Sequence, residues 1–336
     1  MIDFSNTQYL IESMVSERIV PGVNYAFIKN TKIFTSTIGF ASTYPKITQL
    51  SPFAEYDLAS LTKVLVTENI LLKLYQDGKL NFTEPLNDFI PEFTDKHVRL
   101  FHLLTHTSGI RGWIDHRDQL SHDELIDAII HLPVTDEFQH KMRYADTNFI
   151  LLGLVIKKIF GQPVQKVGMN EIIKPMGLTE TSFHPNKSNC VPTSLLNGRV
   201  LQGIPHDPKA RQLGSDCGSA GLFSTMLDLI KICNGYLGLD RNILPFSQDL
   251  VAQLFENKNP AGIKPRSWGW DLRFDPTYHY PIILHTGYTG VLLILDRIKK
   301  SGLILLTNRI HPFGHNQIFL TLREKIIQTF LKDNDH

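Results

Sequence analysis

Strand-like segments sit at both ends of this chain, and segments with helical spacing fill the middle. VNYAFIKN (23–30) and KIFTSTIGF (32–40) read as two strands joined at Asn30-Thr31, a hairpin. Further strands are expected at Trp268–Phe274, Ile282–His285, Val291–Asp296 and Gly302–Thr307, with a last helix over roughly 316–332. A single sheet assembled from both ends and interrupted by a helical insertion satisfies this layout, since strands need partners and helices need an apolar face to cover. The fold class is therefore α/β in the α+β sense, with residues 1–59 and 215–336 forming a discontinuous sheet domain. Residues 60–214 form a mostly helical one.

The helical signals are local. Ser5 to Arg18 puts Leu10, Ile11, Met14 and Val15 on one face, and Pro21-Gly22 ends that element. Ser60 to Gln76 is rich in Leu and Val and stops before Asp77-Gly78. Helices are expected near 100–106, 122–131, 147–160 and 165–175, and Thr225 with Asp228 reads as a capping-box-like start of another.

Composition narrows the function classes. With 336 residues, 42% hydrophobic and 20% charged, the chain is an ordinary folded protein too long for one small core. Lys plus Arg number 34 against 33 Asp plus Glu, and no long basic run occurs, which argues against nucleic acid or an anionic membrane as main partner. Cys190, Cys217 and Cys233 form no CxxC pair and no disulfide framework, as in a reducing compartment. The first residues carry Asp3, Glu12, Glu17 and Arg18 and lack the pattern of a signal peptide. The most apolar stretch, Phe149 to Ile156, is far short of the roughly 20 residues of a membrane span. The expectation is a soluble, cytoplasmic protein.

Several common sites are absent. No GxxxxGK[ST], helix-opening GxGxxG, GxSxG or HExxH occurs. His102 and His106, four apart, could share a helix face as zinc ligands do, but no third ligand is evident, and a structural pair is the ordinary alternative. GSDCGSAG (214–221) could cradle an anion, or simply let the chain turn tightly. His106 and Ser108 in THTSG read as loop-fixing residues, and Arg211 and Asp216 as surface or loop residues.

Ser60-Leu61-Thr62-Lys63 remains. Three residues apart, Ser60 and Lys63 fall on one face of the helix they begin. The helix N-terminus disfavours an ammonium and favours a developing alkoxide, and partial burial would lower the lysine pKa further, toward a neutral amine able to take a hydroxyl proton. A serine activated in this way is a covalent nucleophile. The ordinary alternative makes Ser60 a helix cap and Lys63 a snorkelling surface residue.

Two further motifs join SxxK. Tyr144-Ala145-Asp146 precedes TNFILLG, and His285-Thr286-Gly287 ends one strand before the next begins. The set resembles serine β-lactamases and penicillin-binding proteins, and within them class C β-lactamases with their related carboxypeptidases and esterases. PGVNYAFIKNTKIF, YDLASLTK, VRLFHLLTHTSGI, HDPKARQLGSDCGSAGLFST and HTGYTG resemble stretches of that family in its order, from about residue 20 to 308. Lys300-Ser301-Gly302, at the tip of a hairpin, is set aside. The resemblance implies a β-lactamase/transpeptidase-like fold, an antiparallel sheet flanked by helices plus an all-α domain, with the active site in the cleft between the two domains. It implies Ser60 as acylated nucleophile, Lys63 and Tyr144 as its proton partners, and the N–H groups of Ser60 and Tyr288 as oxyanion hole. As a base, Tyr144 needs a nearby cation, which Lys63 would supply.

Two departures bear on substrate. Asp146 stands where the family has an amide side chain; ionised, it only accepts hydrogen bonds and favours Lys63 as an ammonium, strengthening the tyrosine route. His285 stands where a lysine would give a permanent charge for a substrate carboxylate. The expectation is a cofactor-free, metal-free serine hydrolase on a small-molecule ester, or on a D-amino-acid peptide or amide, with weak β-lactamase activity. The alternatives are a penicillin-binding or ligand-sensing protein acylated without efficient turnover, and a true class C-type β-lactamase or D-Ala-D-Ala carboxypeptidase.

Overall fold

The 23–40 hairpin forms as expected. In the computed structural model, which describes residues 4–111, 114–314 and 316–334, β1 (Gly22–Lys29) and β2 (Lys32–Ser42) pair antiparallel from Gly22↔Gly39 to Lys29↔Lys32. Asn30 takes the left-handed φ of 52° that the tight connection needs. Asp3 lies outside the described residues. β3 (Thr48–Gln49) pairs on the outer side of β2.

β1 is buried along nearly its whole length because it has a partner on each side. The second partner comes from the far end of the chain. After short pairs β4 (Tyr56–Asp57) with β7 (Phe223–Ser224), and β5 (Leu195–Leu196) with β6 (Arg199–Val200), the C-terminal strands are β8 (Asp271–Phe274), β9 (Pro281–Thr286), β10 (Leu292–Asp296) and β11 (Ser301–Thr307). They complete a seven-stranded antiparallel sheet in the order β3-β2-β1-β11-β10-β9-β8, with Val23 opposite Thr307 and Lys29 opposite Ser301. Strands from both ends of the chain thus share one sheet.

Side chains alternate across it. Tyr25, Phe27, Ile294 and Leu305 face α1 (Ser5–Ser16) and α10 (Gln317–Asp333), which contribute Ile11, Met14, Phe319 and Phe330. Ala26, Ile28, Leu293 and Leu306 face the opposite way, into a larger core shared with the helices of the central segment. Those are α2 (Glu68–Gln76), α3 (Leu100–Leu104), α4 (His122–Ile130), α5 (Asp146–Phe160), α6 (Val164–Gly168), α7 (Pro208–Leu213), α8 (Met226–Tyr236) and α9 (Gln248–Gln253). A fully buried Leu or Ile in either layer contributes about 1.5–3 kcal/mol. None of the helices among the described residues is long and apolar enough to cross a membrane.

Three expectations change. The strand expected at 268–274 begins only at Asp271, because Gly269 takes φ 73° and donates its N–H to Leu104 O at 2.8 Å, turning the backbone away from the sheet. At α8 only half of a capping box forms. Thr225 accepts from the Asp228 N–H at 3.5 Å, but the Asp228 carboxylate is spent on the Glu180 N–H at 2.8 Å and Thr181 at 2.9 Å. α3 stops at Leu104, and His106 has φ 57°, so His102 and His106 do not share a helical face.

Candidate active site

Ser60 lies in the turn that enters the helix running through a π-helical turn, Lys63–Thr67, into α2. The three-residue spacing puts Lys63 Nζ 2.9 Å from Ser60 Oγ. Lys63 is fully buried, and its ammonium also donates to Asp146 Oδ1 at 2.7 Å and Ser219 O at 2.9 Å. An ammonium has three protons and no lone pair, and a carbonyl and a carboxylate can only accept, so this arrangement fits the charged form. Burial works against that charge, but the Asp146 carboxylate outweighs it and holds Lys63 above the ordinary lysine range. The neutral amine expected from burial at a helix N-terminus is therefore not the state found. Asp146, at the first position of α5, also meets Lys209 Nζ at 3.0 Å. Despite burial, the two lysines hold its carboxyl well below the usual carboxylate range.

The glycine-rich stretch 214–221 turns its carbonyls inward. Ser219 O faces Lys63, and Gly218 O accepts from Thr67 Oγ1 at 2.6 Å, so this loop receives donors rather than cradling an anion.

Tyr144 is placed by the THTSG loop. The Arg143 N–H donates to His106 O at 2.9 Å, and His106 Nδ1 accepts the Ala145 N–H at 3.2 Å and faces Asn148 Nδ2 at 2.9 Å. Ser108 Oγ donates to Asn148 Oδ1 at 2.7 Å, which fixes the same corner. The Tyr144 ring lies 4.5 Å from the His106 ring, with Lys63 Nζ 5.2 Å and Arg266 Cζ 5.3 Å from its centroid. His106 is kept neutral, its pKa pushed well down by burial and then by Arg266 and Lys63. His102 is committed elsewhere: Nδ1 accepts the Arg99 N–H at 2.9 Å and Nε2 meets the Gln139 amide at 2.9 Å. Among the described residues no three His, Cys, Asp or Glu side chains are grouped to hold a metal ion, and all three cysteines are free and buried.

His285, Thr286 and Gly287 close the end of β9 beside Ser60. A Cβ at Gly287 would lie 2.6 Å from Leu58 O, so only glycine lets this strand approach the Ser60 turn so closely. His285 is 3% exposed, and burial, then Arg266 and Lys63, push its pKa well below the ordinary value. The position carries no charge at neutral pH. Among the described residues no hydrogen-bond acceptor within the chain faces the backbone N–H of Ser60 or of Tyr288. Lys300-Ser301-Gly302 lies in the β10–β11 turn and the start of β11, away from the cavity.

A cavity of about 770 Å³ opens here, and its wall includes all the expected site residues except Lys63, which is buried behind Ser60. The cations on that wall escaped the sequence reading, and three of them touch site residues directly. Arg266, 3% exposed, donates to Gly269 O at 2.7 Å and covers Tyr144. Lys209 holds the second oxygen of Asp146, and Arg309 donates to Tyr288 O at 2.8 Å while stacking on its ring at 4.6 Å. The Asp207-Pro208 cap of α7 was a readable signal for the helix bearing Lys209, though not for its reach. Arg266 had no periodic signal at all. Two surface assignments also fail. Asp216 is buried between Lys157 at 2.8 Å and His122 at 3.1 Å, and Arg211 lies in α7, donating to Pro205 O at 2.9 Å.

A family model described as Beta-lactamase matches residues 8–323. The Escherichia coli O157:H7 protein named "Putative D-alanyl-D-alanine carboxypeptidase" is 25% identical over 345 residues, covering 87% of this chain and 79% of its own. A class C beta-lactamase from Rhodobacter sphaeroides superposes with a TM-score of 0.77 at 16% identity, covering 97% of this chain and 98% of its own. A hydrolase with promiscuous acyltransferase activity does so with a TM-score of 0.77 at 16% identity, covering 98% and 97%.

Proposed function

This chain belongs to the beta-lactamase family and is a serine hydrolase, and we propose that it works through an acyl-enzyme on Ser60. The observation that carries the assignment is the fully engaged Lys63 ammonium, donating to Ser60 Oγ, Asp146 and Ser219 O. A lysine fixed in that form orients the serine but cannot take its proton. The base is then Tyr144, whose ring has two cations beside it.

In the proposed cycle Ser60 Oγ attacks the substrate carbonyl as its proton passes to Tyr144 Oη, the proposed base. The oxyanion is received by the N–H groups of Ser60 and Tyr288, each such donor being worth about 3–4 kcal/mol in the transition state. Tyr144 returns the proton to the leaving group, and water then cleaves the acyl–Ser60 ester by the same route. In this reading residues 1–59 with 215–336 form the sheet domain, 60–214 the helical one, and the cavity lies at their junction.

The proposed substrates are short esters and D-amino-acid peptides or amides, with weak turnover of β-lactams. Supporting this, His285 is buried and uncharged and gives a β-lactam carboxylate no permanent partner at that position. Intact-protein mass after a fluorophosphonate should show one adduct that Ser60→Ala abolishes. A panel of short-chain esters, D-amino-acid amides, D-Ala-D-Ala peptides and a chromogenic cephalosporin then ranks substrates. An adduct that forms but never releases product would move the protein to the acylated, non-turning-over class.

A further inference from the structure

The residue before Ser60 is in an unusual state. Ala59 has φ 45°, a left-handed conformation that alanine rarely adopts, and it is only 4% exposed. Such a turn persists only where its surroundings impose it. One buried carboxylate does so: Asp57 Oδ1 accepts the Ala59 N–H at 2.9 Å. Its other oxygen, Oδ2, accepts the His206 N–H at 2.7 Å. The His206 ring stacks on Tyr288, with centroids 5.1 Å apart and planes 5° apart. The main chain of Asp57 reaches the same loop, since Thr289 Oγ1 donates to Asp57 O at 2.7 Å.

We propose that Asp57 is the positioning residue of the oxyanion hole, holding the Ser60 N–H through Ala59 and the Tyr288 N–H through His206 and Thr289. The proposal rests on the reading of Ser60 as nucleophile. Asp57 touches no reacting atom. It fixes the separation of two donors on different parts of the chain, and separation is what an oxyanion hole must hold constant as charge develops. Both carboxylate oxygens are occupied as acceptors. On protonation one of them must carry a hydrogen and can no longer serve a facing N–H equally well.

The charge of Asp57 is set by its surroundings. Burial raises its pKa to about 6 against the two N–H donors; Asp207 raises it further and Arg211 opposes. The His206 imidazole is itself neutral, its pKa pushed down to about 4 by burial. The Cys190 thiol, raised to about 12 chiefly by burial, also feels Asp57.

The test uses the full chain and 4-nitrophenyl acetate, with kcat and KM followed from pH 5 to 9. Wild type should lose kcat/KM on acidification through about pH 6. Asp57→Asn should remove that limb and lower the plateau of kcat about 10- to 100-fold with KM changed less than about 3-fold, because a displaced donor acts on the transition state. Asp57→Glu should restore the limb and part of the rate. Thr289→Val and His206→Ala, which each cut one link and leave the carboxylate, should each lower kcat about 3- to 10-fold. An Asp57→Asn variant that keeps both plateau and limb would overturn the proposal. If that variant does not fold, unchanged kcat in both link variants overturns it instead. Fluorophosphonate labelling of wild type separates the two levels: no Ser60 adduct sinks the hydrolase reading, whereas labelling with an unaltered Asp57→Asn profile sinks only this proposal.

Discussion

The Asp146 carboxylate and the Lys63 ammonium meet at 2.7 Å, and the lysine is completely buried. In the proposed mechanism this pair leaves the role of base to Tyr144, because it holds the lysine as an ammonium. Taking away one member of a buried pair strands the other, typically at a cost of about 3–5 kcal/mol. Asp146→Asn should therefore lower stability by about 2–4 kcal/mol, Lys209 losing one partner at the same time and keeping Asp207 as the other. The pH dependence follows from the shifts. The Asp146 contribution is fully present above its unfolded pKa of about 4 and is lost on acidification below it; that of Lys63 is present below about pH 10 and lost above. Thermal melts from pH 3 to 10 should show the acid slope flatten in Asp146→Asn, and an unaltered slope would contradict the assignment.

Glu68, one turn along the same helix, gives the opposite dependence. It is fully buried, and burial raises its pKa well above the usual value against the opposing Trp270 indole and Arg266 guanidinium. A raised carboxyl favours the fold below its unfolded pKa of about 4.3, and this contribution is lost as pH rises through the folded value. Glu68→Gln keeps the shape without an ionisation. It should melt close to wild type at pH 5 and gain about 1–3 kcal/mol over it at pH 8. A difference that does not grow with pH would count against a neutral Glu68.

At position 285 the surroundings already hold positive charge, from Arg266 and Lys63. His285→Lys adds an ammonium to that group. Turnover of a chromogenic cephalosporin should rise about tenfold, equivalent to about 1.4 kcal/mol, while short-ester hydrolysis stays within a few-fold. Unchanged cephalosporin turnover in a folded variant would show that the missing charge is not what limits β-lactams.

The parts legible in the sequence were those whose cause is local. The 23–40 hairpin follows from two strand patterns and a turn at Asn30, and the Ser60–Lys63 contact from a three-residue spacing on a helix. The short apolar runs between residues 282 and 307 likewise mark β9 to β11. What was missed comes from distant segments meeting. Arg266 follows Pro265 in an irregular stretch, and only the turn at Gly269 carries it onto Tyr144. The Asp207-Pro208 pair could have marked the helix that bears Lys209 but was not read as one, and the reach of Lys209 to Asp146 depends on how α7 packs against α4 and on where α5 begins. Asp216 read as a loop residue because its partners Lys157 and His122 lie 59 and 94 positions away.

The pairing of β1 with β11 also fixes an order of events during synthesis. Val23 cannot meet its partner until Thr307 has been made, so most of the chain exists before the sheet can close. The helix behind Ser60 can form early from local contacts, whereas the β9 end that faces it waits for the last strands. A ribosome-bound fragment ending before residue 301 would hold Ser60 and Lys63 on a helix without β11 to seat the sheet. If Ser60 is the nucleophile proposed above, fluorophosphonate labelling should appear only once β11 has been made, which would make it a clock for co-translational folding.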